Sequence, residues 1–382
     1  MFGHAARRPV QRAFDRAVAY AGIAVLTILA SAEPARAARA SALNTQPAPA
    51  LYVAGTEIVN AAGASIQLNG VNRAGTEYAC VQGSGIFDGP SDQASISAMA
   101  AWHVHAVRIP LNEDCWLGIN GVNPQYGGTA YRRAIAAYVA LLERAGLNPI
   151  LELHWSAPGS ELALGQKEMP DADHSPAFWK SVATKFGTDQ AVAFDLYNEP
   201  HDVSWGCWLR GCTVNGWRAA GMQRLVTTVR SAGATNILLL SGLAWAGDLI
   251  QWGAHLPADP LDRLVAAWHV YDFGACTDAA CWASQVAGVE GLAPVVLGEF
   301  GETDCAHAFV DRLMSWADEQ GSVGIGYLAW TWDDWPGCGG PTLITDYAGT
   351  PTSYGQGVRD HFVARFPAPA ASLPGIAGVL LR

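Results

Sequence analysis

The sequence has few charged residues and lacks several patterns that would place it in common protein classes. Only 15% of its 382 residues are charged, while 50% are hydrophobic. Its eight cysteines include no Cys-x-x-Cys pair, which disfavours a structural zinc site. No Gly-x-Gly-x-x-Gly motif follows a strand-like run, which disfavours a dinucleotide-binding sheet. The chain is long and apolar enough for one large core.

The first forty residues lack an apolar run long enough to cross a membrane. Four arginines precede the apolar run 17–30, and small-x-small sites follow at 30–32 and 35–37. A basic start, a short apolar stretch and such sites are typical of a cleavable secretory signal. We predict a signal peptide over 1–37, a linker over 38–50, and secretion or export to the periplasm. A retained anchor is the alternative, but a spanning helix needs roughly 20 apolar residues.

Positive charge is also scarce. The formal net charge is −11, from 23 Lys and Arg against 34 Asp and Glu. Residues 1–37 carry five arginines against Asp15 and Glu33, so removing this net +3 leaves −14. Such a surface repels nucleic acid and anionic membranes and favours a neutral partner such as a sugar. We expect a carbohydrate substrate, no nucleic-acid partner, no stable membrane insertion and a monomer.

Eight cysteines, an even number in an exported chain, predict disulfide bonds. Spacing alone leaves the connectivity open, but the shortest spacings give the least costly loop closures. The pairs that we predict are Cys80–Cys115, Cys207–Cys212, Cys276–Cys281 and Cys305–Cys338. Each cysteine follows the end of a predicted strand, so the cross-links would brace loops at one face of the fold. We predict no metal site and no cofactor.

Short apolar runs rich in Val and Leu predict buried strands. Eight of them lie at Ile66–Asn72, His105–Leu111, Pro149–Trp155, Ala191–Asn198, Asn236–Ser241, Val265–Tyr271, Pro294–Phe300 and Gly326–Trp332. Helix-length stretches separate most of them, for example Tyr131–Ala145, Ser175–Phe186, Asn215–Ala232 and Ala306–Glu319. This alternation predicts an α/β fold, a (β/α)8 TIM barrel over 51–365. A doubly wound open sheet is the alternative.

Two shorter segments flank the predicted barrel. Residues 51–66 contain two alternating runs around the turn-like cluster 60–63, which predicts an N-terminal β-hairpin that closes the lower end of the barrel. Residues 366–382 are rich in Ala and Pro and are too short for a second domain. We interpret them as a tail.

Two glutamates end apolar runs about a hundred residues apart. Glu199 closes the run that begins at 191, and Glu299 closes the run that begins at 293. The active sites of TIM barrels lie at the C-terminal ends of the strands, where both side chains would lie. Two carboxyl groups there suggest hydrolysis of a glycosidic bond, which needs one group to donate a proton and another to attack or to activate water.

Seven motifs at predicted strand ends support this interpretation. They are Leu-Asn-Gly-Val-Asn (68–72), His-Ala-Val-Arg-Ile-Pro (105–110), Leu-Glu-Leu-His-Trp (151–155), Asp-Leu-Tyr-Asn-Glu-Pro-His (195–201), Trp-His-Val-Tyr (268–271), Leu-Gly-Glu-Phe-Gly (297–301) and Leu-Ala-Trp-Thr-Trp (328–332). With these motifs in this order, the chain from about 51 to 365 resembles glycoside hydrolase family 5, the cellulase family A. The resemblance implies a retaining (β/α)8-barrel glycosidase.

The resemblance also implies residue roles. Glu199 would be the proton donor and later the base, and Glu299 the nucleophile. At ~5 Å and an effective dielectric constant of ~20, two carboxylates repel by roughly 3 kcal/mol, or about two pKa units. A neighbouring Arg108 would keep Glu299 ionised, so Glu199 would hold the proton.

The remaining roles concern the sugar being cleaved. The side chains that the family would place around it are Arg108, His154, Asn198, His269, Tyr271 and Trp330. Asn198 would bond the 2-hydroxyl, and Trp330 would form the floor. Glu152 departs from the pattern, since many members have Asp there. It shares strand parity with His154 and should point into the barrel.

Flat aromatic rings can stack on the C–H faces of sugars. Trp205 and Trp208 follow the predicted proton donor and are candidates for leaving-group subsites. The favoured function is a secreted endo-β-1,4-glucanase. The same chemistry on β-mannan, β-1,3-glucan or a glycolipid headgroup is an alternative, and a non-hydrolytic carbohydrate-binding barrel is an alternative of another class.

Overall fold

The structure, a computed structural model, describes residues 47–337 and 340–366. Its strands are β1 Tyr52–Ala54, β2 Glu57–Val59, β3 Asn69–Asn72, β4 Ala106–Asn112, β5 Asn148–Trp155, β6 Ala193–Asp195, β7 Thr213–Val214, β8 Trp217–Arg218, β9 Leu238–Ser241, β10 Leu264–Tyr271, β11 Val295–Gly301, β12 Gly326–Ala329, β13 Ile344–Asp346 and β14 Thr350–Pro351. Its α-helices are α1 Ala79–Gln82, α2 Gln93–Ala101, α3 Glu113–Leu117, α4 Thr129–Arg144, α5 Ser175–Phe186, α6 Trp205–Arg210, α7 Met222–Ser231, α8 Ala279–Ala287, α9 Ala308–Asp318 and α10 Ser353–Arg365. A short 3-10 helix spans Gly253–His255.

Eight strands close into a parallel barrel. In order around it they are β3, β4, β5, β6, β9, β10, β11 and β12, with β12 paired to β3. Every neighbouring pair is parallel, so all eight C-terminal ends open at one rim. The (β/α)8 prediction is confirmed, and a closed barrel excludes the open doubly wound sheet.

Alternation along each strand divides the apolar residues between two cores. On β9, Leu239 belongs to the cluster inside the barrel, while Leu238 and Leu240 belong to the larger cluster between strands and helices. The inner cluster fills the lower part of the barrel with aliphatic side chains. Near the C-terminal rim polar side chains replace the aliphatic ones, so the polar groups of the barrel interior are concentrated at its upper end.

The N-terminal hairpin lies at the lower end, as predicted. Leu51 and Ile58 are buried and belong to the inner cluster, so this segment closes the barrel. The β1–β2 register pairs Ala54 with Glu57, which puts the hairpin turn at 55–56 rather than at 60–63. Residues 60–63 form a second turn, with a backbone bridge between Val59 and Ser65 on either side of it.

The helices follow the predicted stretches with one correction. The predicted helix at 175–186 has the observed bounds of α5, but α7 begins at Met222 rather than at Asn215. Residues 213–218 form the small hairpin β7–β8, in which Asn215 and Gly216 both have positive φ angles. An Asn-Gly turn between two short strands is a strong hairpin signal, and it overrides the helical pattern here.

Three of the four predicted disulfides are present, all above the C-terminal ends of barrel strands. They are Cys80–Cys115, Cys207–Cys212 and Cys276–Cys281. Cys338 lies outside the described residues, so the pairing Cys305–Cys338 stays a prediction.

The predicted signal peptide and most of the predicted tail also lie outside the described residues. The linker prediction was too long at its C-terminal end. Ala48 donates a backbone hydrogen bond to Glu143, and the carbonyl of Pro49 accepts one from the Asn148 side chain, so both are attached to the barrel. Over residues 47–337 and 340–366, every helix is too short or too polar to cross a bilayer.

Candidate active site

The two glutamates meet above the inner core. Glu199 follows β6, and Glu299 lies near the end of β11. One oxygen of each carboxylate lies within 4.8 Å of the other and of a nitrogen of His269. The Glu299 side chain is 5% exposed and the Glu199 side chain 19% exposed. Glu199 therefore lies nearer the open cleft.

A β-bulge turns Glu299 inward. Trp268 pairs with Leu297, but the next residue on β10, His269, pairs with Glu299, so Gly298 is an extra residue on β11. Leu297 faces the outer core, and strict alternation would send Glu299 the same way. Such bulges re-aim side chains beside active sites. A Cβ on residue 298 would lie 3.0 Å from Nε2 of His269, so glycine allows this close approach.

The bulge leads to a testable prediction about His269. We expect Gly298→Ala to displace its imidazole and to lower kcat by roughly ten- to a hundredfold, because misplacement of a catalytic constellation by even ~1 Å is costly. Thermal unfolding should show that the variant still folds. Gly165→Ala is the matched control, since a Cβ there meets no atom within 4 Å. Wild-type activity of Gly298→Ala would contradict the positional role of the bulge.

Arg108 is the centre of the buried polar network. It is fully buried on β4 and donates to Glu299 Oε1 at 2.7 Å and to Asp195 Oδ2 at 2.8 Å. It also donates to Asn198 Oδ1 at 2.8 Å and to Asn72 Oδ1 at 3.0 Å. One guanidinium on β4 thus fixes side chains from β3, from β6 and the segment after it, and from β11. Its fork of five donors suits this arrangement, which a lysine could not reproduce.

Tyr271 and His269 hold the other oxygens of the pair. The Tyr271 hydroxyl donates to Glu299 Oε2 at 2.6 Å. Nδ1 of His269 lies 2.9 Å from Glu199 Oε1 and 3.6 Å from Glu299 Oε2. Burial lowers the pKa of His269 to about 3, so its ring is neutral at pH 7. One hydrogen bond joins its Nδ1 to the Glu199 carboxyl group.

The two glutamates lie in different electrostatic environments. Burial raises the pKa of Glu199 to about 7, although the charges of His154 and Arg108 oppose the rise. Glu299 accepts one hydrogen bond from Arg108 and one from Tyr271, and such bonds favour a carboxylate. Of the two, Glu199 is the carboxyl group whose pKa is raised, and Glu299 is the one held by two hydrogen-bond donors.

Glu152 points into the barrel, as its parity predicted. It is fully buried, with Oε2 2.9 Å from Nδ1 of His154 and 3.7 Å from the Arg108 guanidinium. Burial lowers the pKa of His154, but the Glu152 carboxylate more than offsets this and raises it to about 9. His154 is therefore a cation at neutral pH, and its ring stacks against Trp330 at 5.6 Å.

Asn198 links the network to the loop between β5 and α5. Its Nδ2 donates to Gln166 Oε1 at 2.8 Å, and the Gln166 side chain donates in turn to the Glu199 carbonyl at 2.5 Å. Gln166 belongs to no strand motif and was not predicted. Asn72 and Asp195 were not predicted either, although their inward parity within the strand-end motifs was a usable signal.

A cleft of about 720 Å³ opens over these residues. The predicted side chains that line it are His154, Asn198, Glu199, His269, Tyr271, Glu299 and Trp330. Arg108 lies beneath them, fully buried. The structure therefore brings these eight predicted side chains together at one cleft, whereas the two predicted subsite tryptophans lie elsewhere.

The prediction for Trp208 was wrong. Trp208 is fully buried, and its Nε1 donates to the Ser241 carbonyl, so it has no surface to offer a sugar. Trp205 is 7% exposed and packs against Trp208. It borders a neighbouring pocket rather than the main cleft.

Trp245 is an aromatic side chain of the cleft that was not predicted. It is 50% exposed, borders both pockets and stacks on His201 with ring centroids 3.6 Å apart. Ala244, Trp245 and Ala246 all have φ angles between 54° and 61°. Left-handed residues with a Cβ cost roughly 1–2 kcal/mol each, and such strain concentrates at ligand sites. No propensity in Ala-Trp-Ala signals this turn.

The fold and the site together define a barrel with a paired-carboxylate centre, and comparison with known proteins supplies the family. The family model for cellulase, glycosyl hydrolase family 5, matches residues 59–335. The chain belongs to this family.

Individual relatives agree with the family match. A manganese-dependent endoglucanase of Phanerodontia chrysosporium is 29% identical over 191 residues, which cover 48% of this chain and 46% of the relative. Endoglucanase EG-II of Hypocrea jecorina is 26% identical over 265 residues, 63% of this chain and 59% of the relative. The chain thus matches less than two thirds of the length of either.

A solved structure shares the fold. The β-glucanase of Saccharophagus degradans in complex with cellotetraose superposes with a TM-score of 0.63 at 19% identity. The match covers 85% of this chain and 95% of that one. At this identity it supports the barrel architecture and no finer conclusion.

Proposed function

We propose that this protein is a retaining glycoside hydrolase that cleaves β-1,4-glucan by double displacement. The observation that carries the proposal is the carboxyl pair, whose oxygens lie within 4.8 Å of each other and of which Glu199 has a pKa raised by burial to about 7. Retaining glycosidases have carboxyl groups about 5–5.5 Å apart, whereas inverting enzymes need about 6.5–9.5 Å to admit a water. The short gap favours retention.

In the first step Glu299 is the nucleophile and Glu199 the acid. The Glu299 carboxylate, held by Arg108 and Tyr271, attacks the anomeric carbon and forms a glycosyl ester. As the bond to the leaving sugar breaks, Glu199 donates its proton to the departing oxygen. The glycosyl ester is neutral, so Glu299 loses the negative charge that Arg108 had stabilised.

The second step reverses the role of Glu199. Esterification removes the negative charge beside it, so its proton affinity falls and it becomes a carboxylate. It then takes a proton from a water molecule, which attacks the anomeric carbon from the leaving-group side. Glu299 departs as a carboxylate. Two inversions give net retention.

The raised pKa of Glu199 predicts the basic limb of the pH profile. Since Glu199 must be protonated to assist the leaving group, kcat/KM should fall as the pH rises through about 7, the pKa of this carboxyl group. The measurement is kcat/KM against pH on a soluble chromogenic β-glucoside oligomer. In Glu199→Gln the limb near pH 7 should vanish. A basic limb unchanged in that variant would assign it to another group.

Around the cleaved sugar, we propose that Asn198 bonds the 2-hydroxyl, that Trp330 is the floor, and that His154 donates from Nε2. Glu152 occupies Nδ1 of His154 and keeps its ring charged. His269 positions Glu199. Each of these side chains lines the cleft or supports one that does.

For the leaving group, we propose Trp245 as the stacking platform in place of Trp208. Trp245 is exposed and lines the same cleft as Glu199. Its ring stacks on His201, which lies in the loop after the proposed acid. Trp245→Ala should raise KM for long oligosaccharides by roughly five- to thirtyfold, as a lost stacking contact of about 1–2 kcal/mol implies. Trp245→Phe, which keeps a flat ring, should retain most of the affinity. Equal KM values for all three proteins would contradict the assignment.

The choice of β-1,4-glucan depends on relatives that are named endoglucanase or endo-β-1,4-glucanase. The test is sugar release from carboxymethyl cellulose, β-mannan and laminarin, with product lengths on defined oligosaccharides. We expect the highest rate on the cellulose derivative, with internal cleavage. Faster release from mannan or laminarin would keep the chemistry and change the substrate. Wild type as inert as Glu299→Gln on all three would favour a binding barrel.

We also propose that the mature protein is secreted as a monomer. The three disulfides require an oxidising compartment, and residues 1–37 have the pattern of an export signal. The check is N-terminal sequencing of secreted protein, which should begin near residue 38.

A further inference from the structure

A group of two acidic side chains and one histidine lies outside the cleft. Glu113 is the first residue of α3, directly after β4, and Asp171 lies just before α5. Both are fully buried. His174 completes the group, and one ligand atom from each of the three lies within 4.8 Å of the others. The proposed reaction uses none of them.

The polar contacts within this group leave one carboxylate oxygen unpartnered. Asp171 Oδ1 accepts hydrogen bonds from the backbone N–H groups of Asp173 and His174. The Ser175 hydroxyl lies 2.5 Å from Glu113 Oε2 and 3.0 Å from Asp171 Oδ2. Because it has a single proton, it cannot donate a full hydrogen bond to both carboxylates. Glu113 Oε1 is buried and has no hydrogen-bond partner in the described part of the chain. Within residues 47–337 and 340–366, no Lys or Arg forms an ion pair with either carboxylate. Two buried carboxylates side by side, one with an unpartnered oxygen, are costly to desolvate, and a cation between them would offset this cost.

The geometry suits a metal ion. Nδ1 of His174 lies 4.0 Å from Glu113 Oε1 and 3.7 Å from Asp171 Oδ1. Ligands at about 2.0–2.2 Å from one ion lie at most about 4.4 Å apart, so an ion fits between these atoms. The Ala157 carbonyl oxygen lies 3.4 Å from the same nitrogen, so a further oxygen borders the group.

We propose that Glu113, Asp171 and His174 bind one divalent cation of the Mn²⁺ type. Carboxylate oxygens suit Mn²⁺, Mg²⁺ and Ca²⁺, but an imidazole ligand shifts the preference toward first-row transition ions. The ion would connect the end of β4 to the start of α5. It would thereby anchor the loop 156–174, whose Gln166 contacts the Glu199 carbonyl. Its role is structural, because the cluster does not line the cleft.

The test measures binding rather than activity. The chelator-treated full chain is titrated with MnCl₂, free Mn²⁺ is followed by its electron paramagnetic resonance signal, and thermal unfolding is recorded in parallel. We expect one Mn²⁺ per chain. At a hundred times the Kd, the ion should favour the folded state about a hundredfold and raise the Tm. Mg²⁺ and Ca²⁺ should compete weakly.

Variants locate the ion. Glu113→Gln and His174→Asn should each lose Mn²⁺ binding; the second substitution is at a partly exposed side chain, so it is the safer for folding. Asp173→Asn, in the same loop but outside the cluster, should bind as wild type does. Glu199→Gln should also bind normally, which separates this site from the catalytic pair. Absence of binding in wild type, its persistence in Glu113→Gln, or its loss in Glu199→Gln would each overturn the proposal.

Discussion

Glu299→Gln is expected to lower kcat by about 10⁴-fold or more while leaving the protein folded. The amide cannot form the glycosyl ester, so the path by double displacement is closed. Its oxygen can still accept from Arg108, which remains paired with Asp195, so the network should persist. The measurement is initial rate on a soluble β-glucan, with thermal unfolding as the folding check. Glu290→Gln, an exposed carboxylate remote from the cleft, is the control and should retain full activity.

Azide distinguishes the roles of the two glutamates. In Glu199→Ala, azide should attack the glycosyl ester and release a β-glycosyl azide, because Glu299 still forms the ester. In Glu299→Ala, azide should replace the missing nucleophile and give the α-azide. The same azide from both variants, or rescue of neither, would contradict the assignment of roles.

Arg108→Met is expected to destabilise the fold by about 3–5 kcal/mol, in addition to abolishing activity. Removing one partner of a buried ion pair leaves an uncompensated charge. Here Asp195, Glu299 and Glu152 would all lose the same cation. The measurement is urea unfolding of the variant and of the wild type.

Arg108→Lys tests whether shape matters as well as charge. A single ammonium cannot reach all four side-chain oxygens that the Arg108 guanidinium contacts, so this variant should also lose most activity. Arg230→Met is the comparison outside the site. Arg230 forms a two-point pair with Asp259, so its loss should cost stability without changing kcat of the folded fraction. A loss below about 1 kcal/mol in Arg108→Met would contradict the central position given to this residue.

The barrel could be predicted from the sequence because its signals are local and repeated. Each strand is a short apolar run, and each ends in a polar motif. Glu152 and His154 could be placed inside the barrel by parity alone. The β7–β8 hairpin was missed because the helical pattern around 215–232 was weighed over the Asn-Gly turn.

Features that depend on register or on neighbouring loops could not be predicted in this way. Alternation along β11 directs Glu299 outward with Leu297, and only the bulge at Gly298 reverses it. Trp208 on α6 and Trp245 in the turn after β9 both lie above the barrel, yet the first is core and the second is half exposed. The cluster of Glu113, Asp171 and His174 joins the start of α3 to the loop before α5, and no spacing rule connects them.

The stereochemistry of the first product tests the double displacement most directly. A defined β-linked oligosaccharide is hydrolysed by the wild-type protein, and proton NMR follows the anomeric signals of the new reducing end before mutarotation. The short separation of the Glu199 and Glu299 carboxylates predicts that the β-anomer appears first. Initial release of the α-anomer would show that a water, not Glu299, attacks the sugar.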